Sequence, residues 1–255
     1  MNEIIALENV SIAFGPEVIY DRLSFSVVDG EFLCILGPSG CGKSTLLRVV
    51  GDLLGVDTGS VMVAGAPAAE SWQEIAYVFQ SPRLLPWRNA EENVILGQQL
   101  RFGSKRSRAD MREKAAALLD LVGLGRDTHK SPAMLSGGER QRVSIARALA
   151  VDPRIVLMDE PFSALDVHTR RRMRTEIIEI WKKTGKTIVF VTHEIDEALE
   201  LGDRIVVLSA KPTRMLETVE IKTARPRNPN SAELQAARSR LKHLLGVTDG
   251  EAIAS

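Results

Sequence analysis

The run Gly37-Pro38-Ser39-Gly40-Cys41-Gly42-Lys43-Ser44-Thr45 fits the spacing G-x-x-x-x-G-K-[ST], a pattern with a definite chemistry. Glycines there let the backbone curl so that successive N–H groups point inward at phosphate oxygens, and a following helix adds the positive end of its dipole. Lys43 is expected to reach the β- and γ-phosphates of a nucleotide, ATP, and the Ser44 hydroxyl to bind its Mg2+ ion. A bare glycine turn with an exposed lysine is the competing reading. Against it stand a strand-like apolar run at residues 31–36 and helical periodicity over residues 43–54, the strand–loop–helix setting that a phosphate loop needs.

A second pair of groups lies at the end of another apolar run, Ile155-Val156-Leu157-Met158-Asp159-Glu160. A buried strand would deliver Asp159 to its C-terminal end as a magnesium ligand and set Glu160 to polarise an attacking water. Adjacent carboxylates also suit an ordinary helix N-terminus; the phosphate loop tips the reading toward catalysis. The thiol of Cys41, inside the loop and beside a helix start, is expected to have a lowered pKa.

The elements that must position these groups are legible as two kinds of pattern. Strand signals occur at residues 4–10, 23–28, 31–36, 60–63, 75–79, 155–158, 187–191 and 204–208. Helical periodicity occurs at residues 43–54, 90–100, 108–122, 138–149, 167–183, 195–201 and 232–245. Alternation of strand and helix implies a mainly parallel sheet covered by helices. The antiparallel-looking start implies a β subdomain, and the strand-free block of residues 82–149 an inserted α-helical subdomain. The organisation expected is a cassette over residues 1–222, followed by a Pro- and Arg-rich linker and C-terminal helix over residues 223–255.

Leu135-Ser136-Gly137-Gly138-Glu139-Arg140-Gln141 narrows a P-loop NTPase to one family, because it resembles the signature motif of ABC ATPases. Gln80 is similarly placed to the family's Q-loop, Ser163-Ala164-Leu165-Asp166 to its D-loop, and His193 to its switch histidine. The resemblance covers essentially the whole chain and implies an α/β P-loop ABC cassette that works as a homodimer. In such a dimer Ser136, Gly137, Gly138 and Asp166 of one copy serve the nucleotide held by the other. It further implies that Gln80 touches magnesium, that His193 contacts the γ-phosphate beside the catalytic Glu160, and that Phe14 stacks on adenine, where many relatives use tyrosine. Ser136 as a plain helix cap and Phe14 as a plain core residue are the alternatives.

Phe79-Gln80-Ser81-Pro82-Arg83-Leu84-Leu85-Pro86-Trp87-Arg88, with Ser209-Ala210-Lys211-Pro212 and Arg225-Pro226-Arg227-Asn228-Pro229, is similar to importers of nitrate, aliphatic sulfonates and taurine. That resemblance implies permease subunits as partners, a solute-binding protein as an indirect one, and a small anionic solute. A non-transport ABC ATPase of an assembly or repair system is the alternative.

Composition sets the outer limits. With 255 residues and 44% hydrophobic content, one sizeable core with an embedded subdomain is expected. Lys plus Arg and Asp plus Glu both number 33, so no global field draws the chain to nucleic acid. The basic clusters at residues 105–108 and 170–174 neighbour carboxylates and read as solvated helix faces. No apolar run approaches the roughly 18 residues of a spanning helix, and the first residues lack a signal-peptide pattern. The two cysteines, Cys34 and Cys41, show no metal-ligand partners and fit a reducing compartment. A cytoplasmic location is therefore expected, and the resemblance to importer ATPases implies a peripheral position on the cytoplasmic face of the membrane.

Overall fold

The computed structural model describes residues 2–246, so Met1 and residues 247–255 at the end of the expected C-terminal part lie outside the described residues. In chain order the elements are β1 (Glu3–Phe14), β2 (Glu17–Val28), β3 (Phe32–Leu36), α1 (Lys43–Val50), β4 (Thr58–Val63) and β5 (Ala66–Pro67). They are followed by β6 (Ile75–Val78), α2 (Ala90–Phe102), α3 (Arg108–Leu121), α4 (Gly137–Leu149), β7 (Ile155–Asp159) and α5 (Val167–Thr184). The last described elements are β8 (Thr187–Thr192), α6 (Ile195–Leu201), β9 (Arg204–Leu208), β10 (Met215–Glu220) and α7 (Ala232–Leu245). These elements form two compact units. One holds the residues up to Trp72 together with those from Thr187 onward; the other is Gln73–Lys186.

The first unit contains an antiparallel sheet in the order β2-β1-β4-β5 and a mainly parallel set in the order β10-β9-β3-β8. All five residues of β3 are buried, as are all six of β8, which explains the apolar run of β3 and the apolar centre of β8 between its two threonines: a parallel strand covered on both faces has no solvated side to show. In register, Leu36 pairs with Thr192 of β8 and with Val207 of β9, so the carboxyl ends of these strands emerge at one edge. Glu31 fixes the approach to β3. Its carboxylate takes Nε of Arg204 at 2.7 Å and Nη2 at 2.9 Å, a bidentate pair.

Three departures from the sequence reading have local causes. α1 stops at Val50, with Gly51 as its C-cap, and Leu53 beyond it is 61% exposed. β2 begins at Glu17, because the Gly15–Pro16 turn pairs Phe14 directly with Glu17. β10 was not legible: its charged residues Glu217 and Glu220 obscure the alternation, and its antiparallel pairing with β9 supplies the order.

Residues 223–229 are strapped down rather than slack. Arg227 Nη1 donates to Leu199 O and Gly202 O, each at 2.7 Å, at the end of α6, and burial pulls its pKa down to about 10. α7 then buries Leu234, Ala237 and Leu241.

In the second unit β6 and β7 pair in parallel, Val78 beside Met158, so Gln80 and Asp159 leave their strands at the same edge. α2, α3 and α4 pack on one another, and α4 also touches β6 and α5. The expected helical block therefore holds α2, α3 and α4.

Candidate functional site

The phosphate loop belongs to the first unit, between the buried end of β3 and α1. Gly42 takes φ 103°, a left-handed value open to glycine, and a Cβ there would lie 2.8 Å from Ile19 Cγ2 and 3.0 Å from Tyr20 Oη. Lys43 is 5% exposed and donates through Nζ to Gly37 O at 2.8 Å and Pro38 O at 2.9 Å, which sets its ammonium within the curl of the loop. Two buried residues from distant segments brace the same backbone: Tyr20 Oη donates to Gly42 O, and Thr213 Oγ1 donates to Cys41 O. Burial raises the Tyr20 phenol well above its ordinary value, so it stays a donor. Neither Tyr20 nor Thr213 was found from sequence; no spacing rule connects them to the loop. This backbone curl, with an ammonium inside and Ser44 and Thr45 opening α1, is the donor set that a nucleotide phosphate requires.

Cys41 is 1% exposed, and a Cβ on Gly37 would lie 2.9 Å from its Sγ, so the thiol is packed inside the loop rather than open to a reagent.

His193 follows Thr192 directly, and the pairing of Thr192 with Leu36 brings the histidine's segment to the edge from which the loop departs. The turn into α6 is built by buried polar groups: Thr192 Oγ1 donates to Glu197 Oε2 at 2.7 Å and accepts from Glu194 N at 3.0 Å. Phe14 lies at the β1–β2 turn and is 49% exposed, which removes the core reading. Val18, opposite Ala13 in the same hairpin, is 42% exposed and adds a second open apolar surface that sequence reasoning missed.

In the second unit, β7 carries Asp159 to its end, 8% exposed, and Glu160 takes φ 41°, an uncommon left-handed conformation for glutamate. The turn that follows is tied by Ser163: its N–H and its Oγ both donate to Glu160 O, at 3.2 and 3.0 Å. Gln80 joins the same cluster, Nε2 donating to Ser163 Oγ at 3.1 Å. Gln80, Glu160 and the D-loop serine thus form one hydrogen-bonded group, and Ser163 was not singled out as a site residue from sequence.

Ser136 caps α4 in a reciprocal box. Glu139 N donates to Ser136 Oγ at 3.3 Å and Ser136 N to Glu139 Oε2 at 2.7 Å. The Ser136 N–H, and after it the Ser136 hydroxyl, hold the Glu139 carboxyl below its usual range. Gly137 and Gly138 begin the helix, and a Cβ on Gly138 would lie 2.6 Å from Thr169 Cγ2 of α5. Asp166 caps α5, accepting from Thr169 N at 3.0 Å, and the Thr169 hydroxyl together with that N–H lowers its pKa. The start of the signature helix and the D-loop therefore pack together within one unit.

Residues 79–89 are held by their backbone. Gln141 Nε2 donates to Phe79 O at 3.3 Å, and Arg147 donates to Pro82 O at 2.7 Å and Arg83 O at 2.8 Å. Asn93, fully buried, accepts from Leu85 N at 2.8 Å and donates to Arg88 O at 3.0 Å and Asn89 O at 2.9 Å. With the main chain fixed, Trp87 is left 76% exposed.

Comparison with known proteins gives this arrangement a family. The profile described as ABC transporter matches residues 20–163. An aliphatic sulfonates import ATP-binding protein (SsuB 2) of Pseudomonas savastanoi pv. phaseolicola is 42% identical over 95% of this chain and 84% of its own length. An uncharacterized ABC transporter ATP-binding protein of Methanocaldococcus jannaschii is 43% identical over 88% of this chain and 83% of its own. Among solved structures, a dimeric ATP-binding cassette in a post-hydrolysis state, bound to ADP and Pi, is 32% identical. It aligns with a TM-score of 0.75 over 86% of this chain and all of that one. Matches of this extent, on a fold that carries the phosphate loop and the capped signature helix, lead to one conclusion: the chain belongs to the ABC transporter family.

Proposed function

We propose that the chain is the ATP-binding and ATP-hydrolysing subunit of an importer for a small anionic solute of the aliphatic sulfonate class. The observation that carries this reading is the 42% identity to a sulfonate-import ATP-binding protein, which extends over 95% of the chain and well beyond the family profile. Among the described residues no helix is long and apolar enough to cross a membrane, so translocation falls to partner permease subunits. A solute-binding protein feeding that permease, and a position on the cytoplasmic face of the membrane, belong to the same proposal.

Within it, residues 37–45 wrap the phosphates, Lys43 neutralises the β- and γ-phosphate charge, and Phe14 stacks on the adenine. Ser44, Gln80 and Asp159 offer the hydroxyl, carbonyl and carboxylate oxygens that suit Mg2+, whose chemistry when bound is to offset charge developing on the phosphates. Glu160 orients the attacking water and accepts its proton, and His193 contacts the γ-phosphate. Ser136, Gly137, Gly138 and Asp166 serve the nucleotide of a second copy, in keeping with the dimeric cassettes among the structural relatives. The segment presenting Trp87 docks the permease, and the helical block of residues 82–149 carries the motion.

Replacing Glu160 by Gln tests the enzymatic core, since it keeps shape and an acceptor while removing the base. ATP should still bind while hydrolysis falls by about 10²–10⁴-fold, and the variant should accumulate as an ATP-bound dimer in size-exclusion chromatography. Wild-type hydrolysis by Glu160→Gln would remove the assignment. Co-purification of the wild-type chain with a polytopic membrane protein separates the importer from a non-transport ATPase.

A further inference from the structure

Gln80 and Ser163 are far apart in sequence, yet Gln80 Nε2 lies 3.1 Å from Ser163 Oγ, and that hydroxyl lies 3.0 Å from Glu160 O. The direction of this chain follows from the donors available. Glu160 O is a carbonyl and only accepts, so the single Ser163 proton is committed to it, and Ser163 can receive Gln80 only through a lone pair. The carboxamide must therefore turn its NH2 toward Ser163, which points its Oε1 the other way. A primary amide offers a hard cation only its carbonyl oxygen. The orientation imposed by Ser163 is the one in which Gln80 is ready to act as an oxygen ligand.

The serine is itself held from both sides. Its N–H donates to Glu160 O at 3.2 Å, and Arg170 Nη2 donates to the carbonyls of Ser163 at 3.4 Å and Leu165 at 3.1 Å. Phe162, fully buried, anchors the turn between. Metal ligands commonly depend on such a second layer of hydrogen bonds, because without it a side chain samples orientations that present the wrong atom.

We infer that Ser163 is a positioning residue for metal binding: its hydroxyl, aligned by the Glu160 carbonyl, fixes the Gln80 carboxamide with its oxygen presented to the nucleotide-bound Mg2+. The inference rests on the ATP-binding reading above. It also links the metal ligand to the backbone of the general base through one hydroxyl, so that a change in the left-handed turn at Glu160 is felt at Gln80.

The test is a titration of Mg2+ at a fixed concentration of a non-hydrolysable ATP analogue, with binding to the full chain followed by calorimetry. Ser163→Ala should raise the Mg2+ concentration for half-maximal binding by about 2–10-fold, the loss of one orienting hydrogen bond, with analogue binding in EDTA unchanged. Ser163→Thr, which retains the hydroxyl, should stay near wild type. In a Gln80→Ala background the Ser163→Ala change should have no further effect on the Mg2+ requirement, since there is no carboxamide left to orient. An unchanged Mg2+ requirement in Ser163→Ala, or an equal shift with and without Gln80, overturns the inference. A variant that simply unfolds would lose binding in EDTA as well, and Ser163→Thr with a wild-type melting temperature and a raised Mg2+ requirement would likewise count against it. Should the wild-type chain bind no analogue under any condition, it is the nucleotide-binding reading that fails.

Discussion

Phe14 leaves about half of its surface open at the β1–β2 turn, where an apolar ring gains little from folding and is available to a planar partner. A stacked pair is worth roughly 0.5–1.5 kcal/mol beyond the area it covers, so Phe14→Ala should weaken ATP binding by about 2–10-fold or more, and Phe14→Tyr should preserve it. Fluorescence titration with a labelled ATP measures this directly; equal affinity of Phe14→Ala and wild type would exclude the adenine platform. Lys43 presents the opposite case, since it is buried and its ammonium is held inside the loop by Gly37 O and Pro38 O. Glu160 differs from both. Its backbone is held at φ 41°, and such conformations persist only where surrounding contacts over-determine them, here the Ser163 turn.

The α4 helix gathers more constraints than any other element of the site. Its first turn is fixed by the Ser136–Glu139 box, its glycine face lies against Thr169, and Arg147 in its last turn holds the backbone of residues 82–83. A methyl added at Gly138 cannot fit without displacing the Thr169 methyl. Gly138→Ala should therefore destabilise the fold by about 1–3 kcal/mol despite alanine's higher helix propensity, and Thr169→Ser should restore most of the loss in the double variant. Urea denaturation of the four proteins decides it; additive effects would mean that the clash is relieved elsewhere. The capping box also carries a pH dependence. The folded state lowers the Glu139 pKa, so its contribution is fully present above the unfolded value and is lost as pH falls through the lower, folded one. Glu139→Gln should flatten the stability curve in that acid window and leave its shape near neutrality unchanged.

For the molecule as a whole, the proposed importer needs a docking surface for its membrane partner, since no helix among the described residues is long and apolar enough to cross a membrane. The residue 79–89 segment is the candidate for that surface. Three side chains hold its main chain, leaving Trp87 exposed on a rigid support, and large aromatics on such supports are the usual anchors of protein interfaces. Trp87→Ala in the assembled transporter should lower solute uptake by tenfold or more while ATP affinity stays at the wild-type value. Normal uptake by that variant would remove Trp87 from the permease surface.

The phosphate loop, the Asp159–Glu160 pair, the signature run and the alternation of strand and helix were readable in the sequence because each is local: a few residues, fixed spacing, one element. Buried parallel strands such as β3 and the centre of β8 also announce themselves, since covering both faces favours apolar residues throughout. What tertiary structure decided was every relation between distant segments. Tyr20 and Thr213 brace the loop from far along the chain, and burial turned Cys41 inward despite its inviting neighbours. Ser163 became the link between Gln80 and Glu160, and Asn93, Gln141 and Arg147 became the support of the Trp87 segment. For the bonds to backbone carbonyls the physical reason is shared. A hydrogen bond to a backbone carbonyl needs only a donor within reach, so almost any polar side chain can serve, and only folding determines which one arrives.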